Sequence, residues 1–83
     1  MGKRIGFVGV LVERRQEASP EVNRILSEYG DLILARMGLP SHDRKVSVIT
    51  LVVDATTDEI GELTGKLGQI SGVSVKSALA KIS

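Results

Sequence analysis

Apolar positions along the chain change period five times, and each change marks an element. Residues 4–13, RIGFVGVLVE, are apolar and β-branched over a length suited to a strand. Residues 19–30, SPEVNRILSEYG, place Val22, Ile25, Leu26 and Tyr29 on one helical stripe. Ser19 reads as the cap of that helix, Pro20 as its first helical residue and Gly30 as its stop. DLILARMGLP (31–40) predicts a second strand, SHDR (41–44) a polar turn and KVSVITLVVD (45–54) a third strand. A second helix follows, with Ile60, Leu63, Leu67 and Ile70 on one face. Thr56 caps it with Glu59 three residues on, Asp58 suits its positive end, and Gly72 reads as its stop. VSVKSALAK (73–81) closes the pattern as a fourth strand. The order β-α-β-β-α-β predicts one α+β domain over 1–83 with a ferredoxin-like fold. Its four-stranded antiparallel sheet should carry both helices on one face.

A sheet covered on one side should alternate apolar with polar residues, and these strands do not. In the first, Ile5, Phe7 and Leu11 point one way and Val8, Val10 and Val12 the other. In the third, Val46, Val48 and Val52 oppose Ile49, Leu51 and Val53. Two helices cover one side only, so the second is expected to be an exposed apolar patch of the kind that marks an interaction site. The expectation is a homo-oligomer, dimer or tetramer, that buries sheet face, sheet edge or both.

The second helix adds a further oddity. Gly61, Gly65 and Gly68 lie on a stripe well away from its leucines, and each costs about 1 kcal/mol against alanine inside a helix. They do not form a phosphate loop. Three residues separate Gly61 from Gly65, and Lys66 is followed by Leu67 where a hydroxyl would be needed for the metal. Something is therefore expected to approach this backbone closely: a strand of the same domain, another subunit or a ligand. With a ligand at a subunit interface, the three glycines would line the contact and Lys66 would supply charge.

Composition removes several alternatives. Eighty-three residues make a small core for which help from oligomerisation is credible. There is no cysteine, which excludes disulfides, thiolate catalysis and cysteine-based metal sites. A formal net charge of +1 gives no electrostatic reason to expect nucleic acid or a membrane surface. No apolar run is long enough to span a bilayer and no signal segment opens the chain, so a cytoplasmic protein is the expectation. His42 is the one histidine and falls in the polar turn, so neither a metal nor another cofactor is called for. KRIGFVGV has some likeness to an RNA-binding strand, but the aromatics that would stack bases are missing, Phe7 and Tyr29 being the only two. There is no nucleophile–base pair and no histidine with an orienting partner, so no catalytic residues are assigned and an enzyme is not expected. A small anion, if bound, would sit where Arg14 and Arg15 meet the helix start at Ser19. Asn23, between apolar stripe and solvent, is either a ligand contact or an ordinary exposed polar residue.

VNRILSEYGDLILARMGLP, TTDEIGELTGKLGQISGVSVK and the spacing between them resemble a family of small iron-only hydrogenase system regulators. GKLGQISGVSVK is the most specific part of the likeness and RRQEASP the weakest. That family is ACT-like, related in fold to the ligand-sensing C-terminal domain of the nickel-responsive repressor. The resemblance implies a ferredoxin-like fold, oligomerisation and a regulatory role in hydrogenase expression or maturation. The chain departs from the wider relatives in three ways. His42 alone cannot reproduce the nickel sensor's histidine and cysteine set, and ERRQEAS lacks the glycine that lets amino acids approach the first loop of many ACT domains. All residues go into one βαββαβ unit, so any effect on transcription is expected to run through a partner. Two readings stay open: a small-molecule-sensing oligomer, and a ligand-free adaptor that contacts hydrogenase or maturation proteins.

Overall fold

Nine residues of the first strand and ten of the third form the centre of one sheet, because their valines, isoleucines and leucines fit a pleated surface packed on both neighbours. The computed structural model describes residues 2–41 and 45–81. Its elements are β1 (Arg4–Val12), α1 (Arg15–Glu28), a single 3-10 turn (Gly30–Leu32), β2 (Ile33–Ser41), β3 (Val46–Ala55), α2 (Thr57–Gly68) and β4 (Val73–Leu79). Strand order is β2-β3-β1-β4 with every pair antiparallel. Helix α1 joins β1 to β2 across the place taken by β3, and α2 joins β3 to β4 across β1, which is the split β-α-β arrangement of a ferredoxin-like α+β fold. Pro40 is accommodated because β2 is an edge strand, where a missing N–H need not break the ladder.

Alternation along the strands decides where the core lies. Val8, Val10 and Val12 of β1 and Leu51 and Val53 of β3 are buried against Ala18, Val22, Ile25 and Leu26 of α1 and Leu63 and Leu67 of α2. Both helices therefore cover the same sheet face. Ile60, Ile70, Tyr29, Val73 and Val75 pack around this cluster, half-buried.

Several boundaries differ from the sequence reading, and those around α1 differ for tertiary reasons. Helix α1 begins at Arg15 rather than after Ser19, and Pro20 lies inside it. Ala18 is the cause. It is fully buried and extends the apolar stripe of Val22 and Ile25 one turn upstream, so burial outweighs the local Ser-Pro signal. The first turn closes through the N–H groups of Glu17 and Ala18, which donate to the Arg14 carbonyl at 3.1 and 2.7 Å. Pro20 cannot donate to the Gln16 carbonyl, and Gln16 is exposed, where water can take that place. Gly30 does not stop the helix. Tyr29 closes it by donating to the Ile25 carbonyl, and Gly30 opens the 3-10 turn that drives Leu32 into the core. The second strand therefore starts at Ile33 and not at Asp31. The last strand ends at Leu79, short of the expected Lys81.

The start of α2 matches its sequence signature. Thr56 Oγ1 accepts from the Glu59 N–H at 3.1 Å, and the Thr56 N–H donates to Glu59 Oε1 at 2.8 Å. That backbone donor holds the Glu59 carboxyl below its ordinary range. A depressed folded value means the associated stability is complete above the ordinary carboxylate range and is lost as pH falls through the folded value. Replacing the cap, Thr56→Ala, should lower the unfolding free energy in a urea titration by about 1 kcal/mol. An unchanged midpoint and slope would show that the box contributes nothing. Gly72 does take the left-handed conformation, φ 82°, but the helix has already ended at Gly68. Its freedom serves the turn into β4.

Candidate functional site

The glycine side of α2 faces outward. Gly61, Gly65 and Gly68 are exposed, and a Cβ built on any of them would meet nothing within 4 Å. Packing against a strand of the same domain, one of the three readings open from sequence, is thereby removed. Lys66 does not stand free beside them. Its ammonium lies 5.1 Å from the centroid of the Tyr29 ring and 3.9 Å from Glu28 Oε1. Closeness to Tyr29, ahead of Glu28 and Glu62, holds Lys66 above its ordinary pKa. Glu28 is shared with Arg24 at 2.6 Å, and Arg24 also clamps both carboxylate oxygens of Glu21. The hydrogen bond from Arg24 lowers the Glu21 carboxyl and the pairing raises the guanidinium. These are exposed groups, so the ladder Glu21–Arg24–Glu28–Lys66 orders the helix surface more than it stabilises the fold.

The remaining candidates lie elsewhere. Arg14 occupies the position before α1, and its aliphatic stem packs against Gly72, where an added Cβ would come within 3.1 Å of Arg14 Cγ. The Glu13 N–H donates to the Gly72 carbonyl at 2.8 Å, so the β1–α1 junction is tied to the turn after α2. Arg15 opens α1, and its side chain lies outside the described residues. The anion site expected at Ser19 is displaced: the helix start is at the two arginines, and Ser19 is a turn inside the helix. Asn23 Oδ1 accepts from Arg36 Nη2 at 2.7 Å, which links α1 to the edge strand β2. The seven candidates thus belong to three places and not one: α2 with its outer side, the head of α1, and the α1–β2 seam. His42, expected in a solvated turn, lies outside the described residues.

A further surface feature is the sheet face opposite the helices. Ile5, Phe7, Leu11, Met37, Leu39 and Val52 share it, with exposures of 50% for Phe7, 66% for Leu39 and 70% for Met37. Leu34, the extra residue of a bulge between Ile33 and Ala35, adds a seventh exposed apolar side chain beside them. The β1 and β3 members follow from strand alternation in the sequence. The β2 contribution was missed, although the two-residue spacing of Met37 and Leu39 signals it. On the covered side, the hydroxyl of Ser47 is buried and has no hydrogen-bond partner among the described residues. Among the described residues no group of three or more His, Cys, Asp or Glu is placed to hold a metal ion, and no helix is long and apolar enough to cross a membrane.

Comparison with known proteins places this geometry. A family model described as "TM1266-like: Iron-only hydrogenase system regulator, putative" matches residues 4–77. The structure of the uncharacterized protein TM1266 from Thermotoga maritima is similar at 42% identity and a TM-score of 0.91, over 95% of this chain and 99% of that one. The ACT domain from GTP pyrophosphokinase of Chlorobium tepidum is similar in fold, with a TM-score of 0.77 at 17% identity over 92% and 99% of the two chains. The C-terminal domain of the MgtC protein from Mycobacterium tuberculosis follows at 0.65 and 16%, over 98% and 92%. No match was found among the curated proteins.

Proposed function

The chain belongs to the TM1266-like family of iron-only hydrogenase system regulators, and we propose that it serves there as a non-catalytic, ligand-sensing homo-oligomer inside the cell. One observation carries this reading: an ACT-like sheet whose second face exposes six large apolar side chains, with Leu34 exposed at the β2 bulge. A regulator built this way changes its assembly when a small molecule binds between subunits, because a ligand that prefers one assembly shifts the population toward it. The ligand would lie against the outer side of α2, where Gly61, Gly65 and Gly68 leave the backbone approachable. Lys66 would contribute charge only after leaving Tyr29 and Glu28, which makes its release part of the response.

A screen of amino acids, nucleotides and metal ions tests the reading, followed by melting temperature and by sedimentation. At least one compound should raise the melting temperature and shift the assembly together. A flat response throughout would reject ligand sensing. The adaptor reading uses the same surfaces without a ligand, and retention of hydrogenase maturation proteins by a chain that ignores every compound would favour it.

A further inference from the structure

We propose that the uncovered sheet face is the contact between two copies of this chain, related by a two-fold axis across the strands that seats Phe7 of each copy over Gly9 of the other. The proposal rests on the oligomeric reading above and names the surface it uses.

Area and shape select the occupant. Four strands about 4.8 Å apart and about eight residues long present a rectangle of roughly 19 by 26 Å, or about 500 Å² per copy. Two such faces bury about 1,000 Å², the lower bound for a specific interface. A single helix, about 10 Å across, would leave half of the apolar face wet. Another sheet of equal width covers it, and this chain supplies one.

Charge does not oppose self-association. By register, the charged residues on this face among those described are Asp54, opposite Ile5, and Lys76, opposite Gly9. They have opposite signs. Lys76 lies on the edge strand β4 and can stay hydrated at the rim, whereas Asp54 lies in the last row, at the end of the contact, where the two-fold sets it beside Val48 of the other copy.

Gly9 fixes the register of the contact. Its protomer gives no reason for a glycine there, since its φ is not positive and an added Cβ would meet only the Lys76 carbonyl at an ordinary 3.8 Å. Gly6, three residues earlier on the same strand, differs: a Cβ there would overlap the Ala78 carbonyl and come within 2.5 Å of Leu79 Cδ2. A glycine in a central strand weakens it, and a close approach of another surface is one of the few causes. The missing side chain leaves a gap bounded by Phe7 and Leu11 along β1 and by Thr50 and Lys76 across it. A two-fold axis between the Phe7 and Gly9 rows places each Phe7 over the partner's gap. The same operation sets Leu11 over Ile5 and Met37 over Ala35, apolar on apolar.

The test uses variants on the uncovered face. Gly9→Leu fills the gap, with room for its Cβ in its own chain, and Phe7→Glu removes the side chain that enters it. Each should weaken association about tenfold or more by sedimentation, a hot-spot-sized loss, with the fold retained by circular dichroism. Gly9→Leu is the safeguard should Phe7→Glu fold poorly. Because the chain has no cysteine, Phe7→Cys and Gly9→Cys can also be mixed and treated with a short bismaleimide. Cross-links should favour the mixed pair over either like pair. An assembly that keeps its mass in both variants, or that cross-links without that preference, overturns the sheet contact and leaves the oligomeric reading standing. An unmodified chain that sediments singly overturns both.

Discussion

Gly6→Ala should loosen β4 from the sheet and lower the unfolding free energy by about 2–3 kcal/mol, the range for forcing atoms into a filled space. Gly6 pairs with Leu79, and the Cβ it lacks would overlap backbone: the Ala78 carbonyl oxygen and, within 2.9 Å, the Leu79 Cα. Backbone cannot rotate aside as a side-chain tip can, so the end of β4 must move outward. The bond from the Ala80 N–H to the Ile5 carbonyl, 2.8 Å, is the next to break. Hydrogen exchange should therefore accelerate at Ala80 more than at Val10 in the strand centre. Gly9→Ala is the matched control, with space for its Cβ, and should leave stability unchanged or slightly raised. Equal losses in the two variants would show that glycine flexibility and not the clash decides the outcome.

Leu67→Ala should have the largest effect of any single substitution in α2. Leu67 and Leu63 are fully buried and anchor the helix to the sheet, with Ile60 and Ile70 packed half-buried at either end. Truncating a buried leucine removes its transfer energy and leaves a cavity, together about 2–5 kcal/mol. The helix has little to fall back on. Gly61 and Gly65 in its interior each cost about 1 kcal/mol against alanine, so twelve residues hold their shape mainly because they are docked. A chain of this size has about 8 kcal/mol of total stability by the usual per-residue figure, roughly 0.1 kcal/mol each. Urea unfolding of Leu67→Ala should show a large fall in midpoint, and far-ultraviolet circular dichroism should show helix loss ahead of sheet loss. A variant that unfolds with the wild-type midpoint would mean that α2 is held by something other than this stripe.

Much of this architecture is legible along the chain because the strands alternate with a strict period of two. Ile5, Phe7 and Leu11 against Val8, Val10 and Val12 already separate the two faces, and the structure keeps that division and shows which one the helices cover. The Thr56–Glu59 box was legible for the same reason: it is local, and all its partners lie within three residues. The start of α1 was not. Ser19 and Pro20 form a local start signal, and only the sheet beneath makes Ala18 a better place to bury. The helical wheel separates Gly61, Gly65 and Gly68 from the leucines, yet it cannot say what stands opposite them, and among the described residues nothing does. Lys66 was read as a free charge because its partners, Tyr29 and Glu28, come from the other helix. Leu34, Met37 and Leu39 were obscured by the bulge, which shifts the alternation of β2 after Ile33.

The account turns on whether this apolar face is shared between copies, and sedimentation equilibrium of the unmodified chain at micromolar concentration measures that directly. The account predicts a mass that is an even multiple of the 8.9 kDa chain and falls toward one chain only on strong dilution. A mass of 8.9 kDa across the whole concentration range, with the sheet face accessible to an apolar dye, would contradict it.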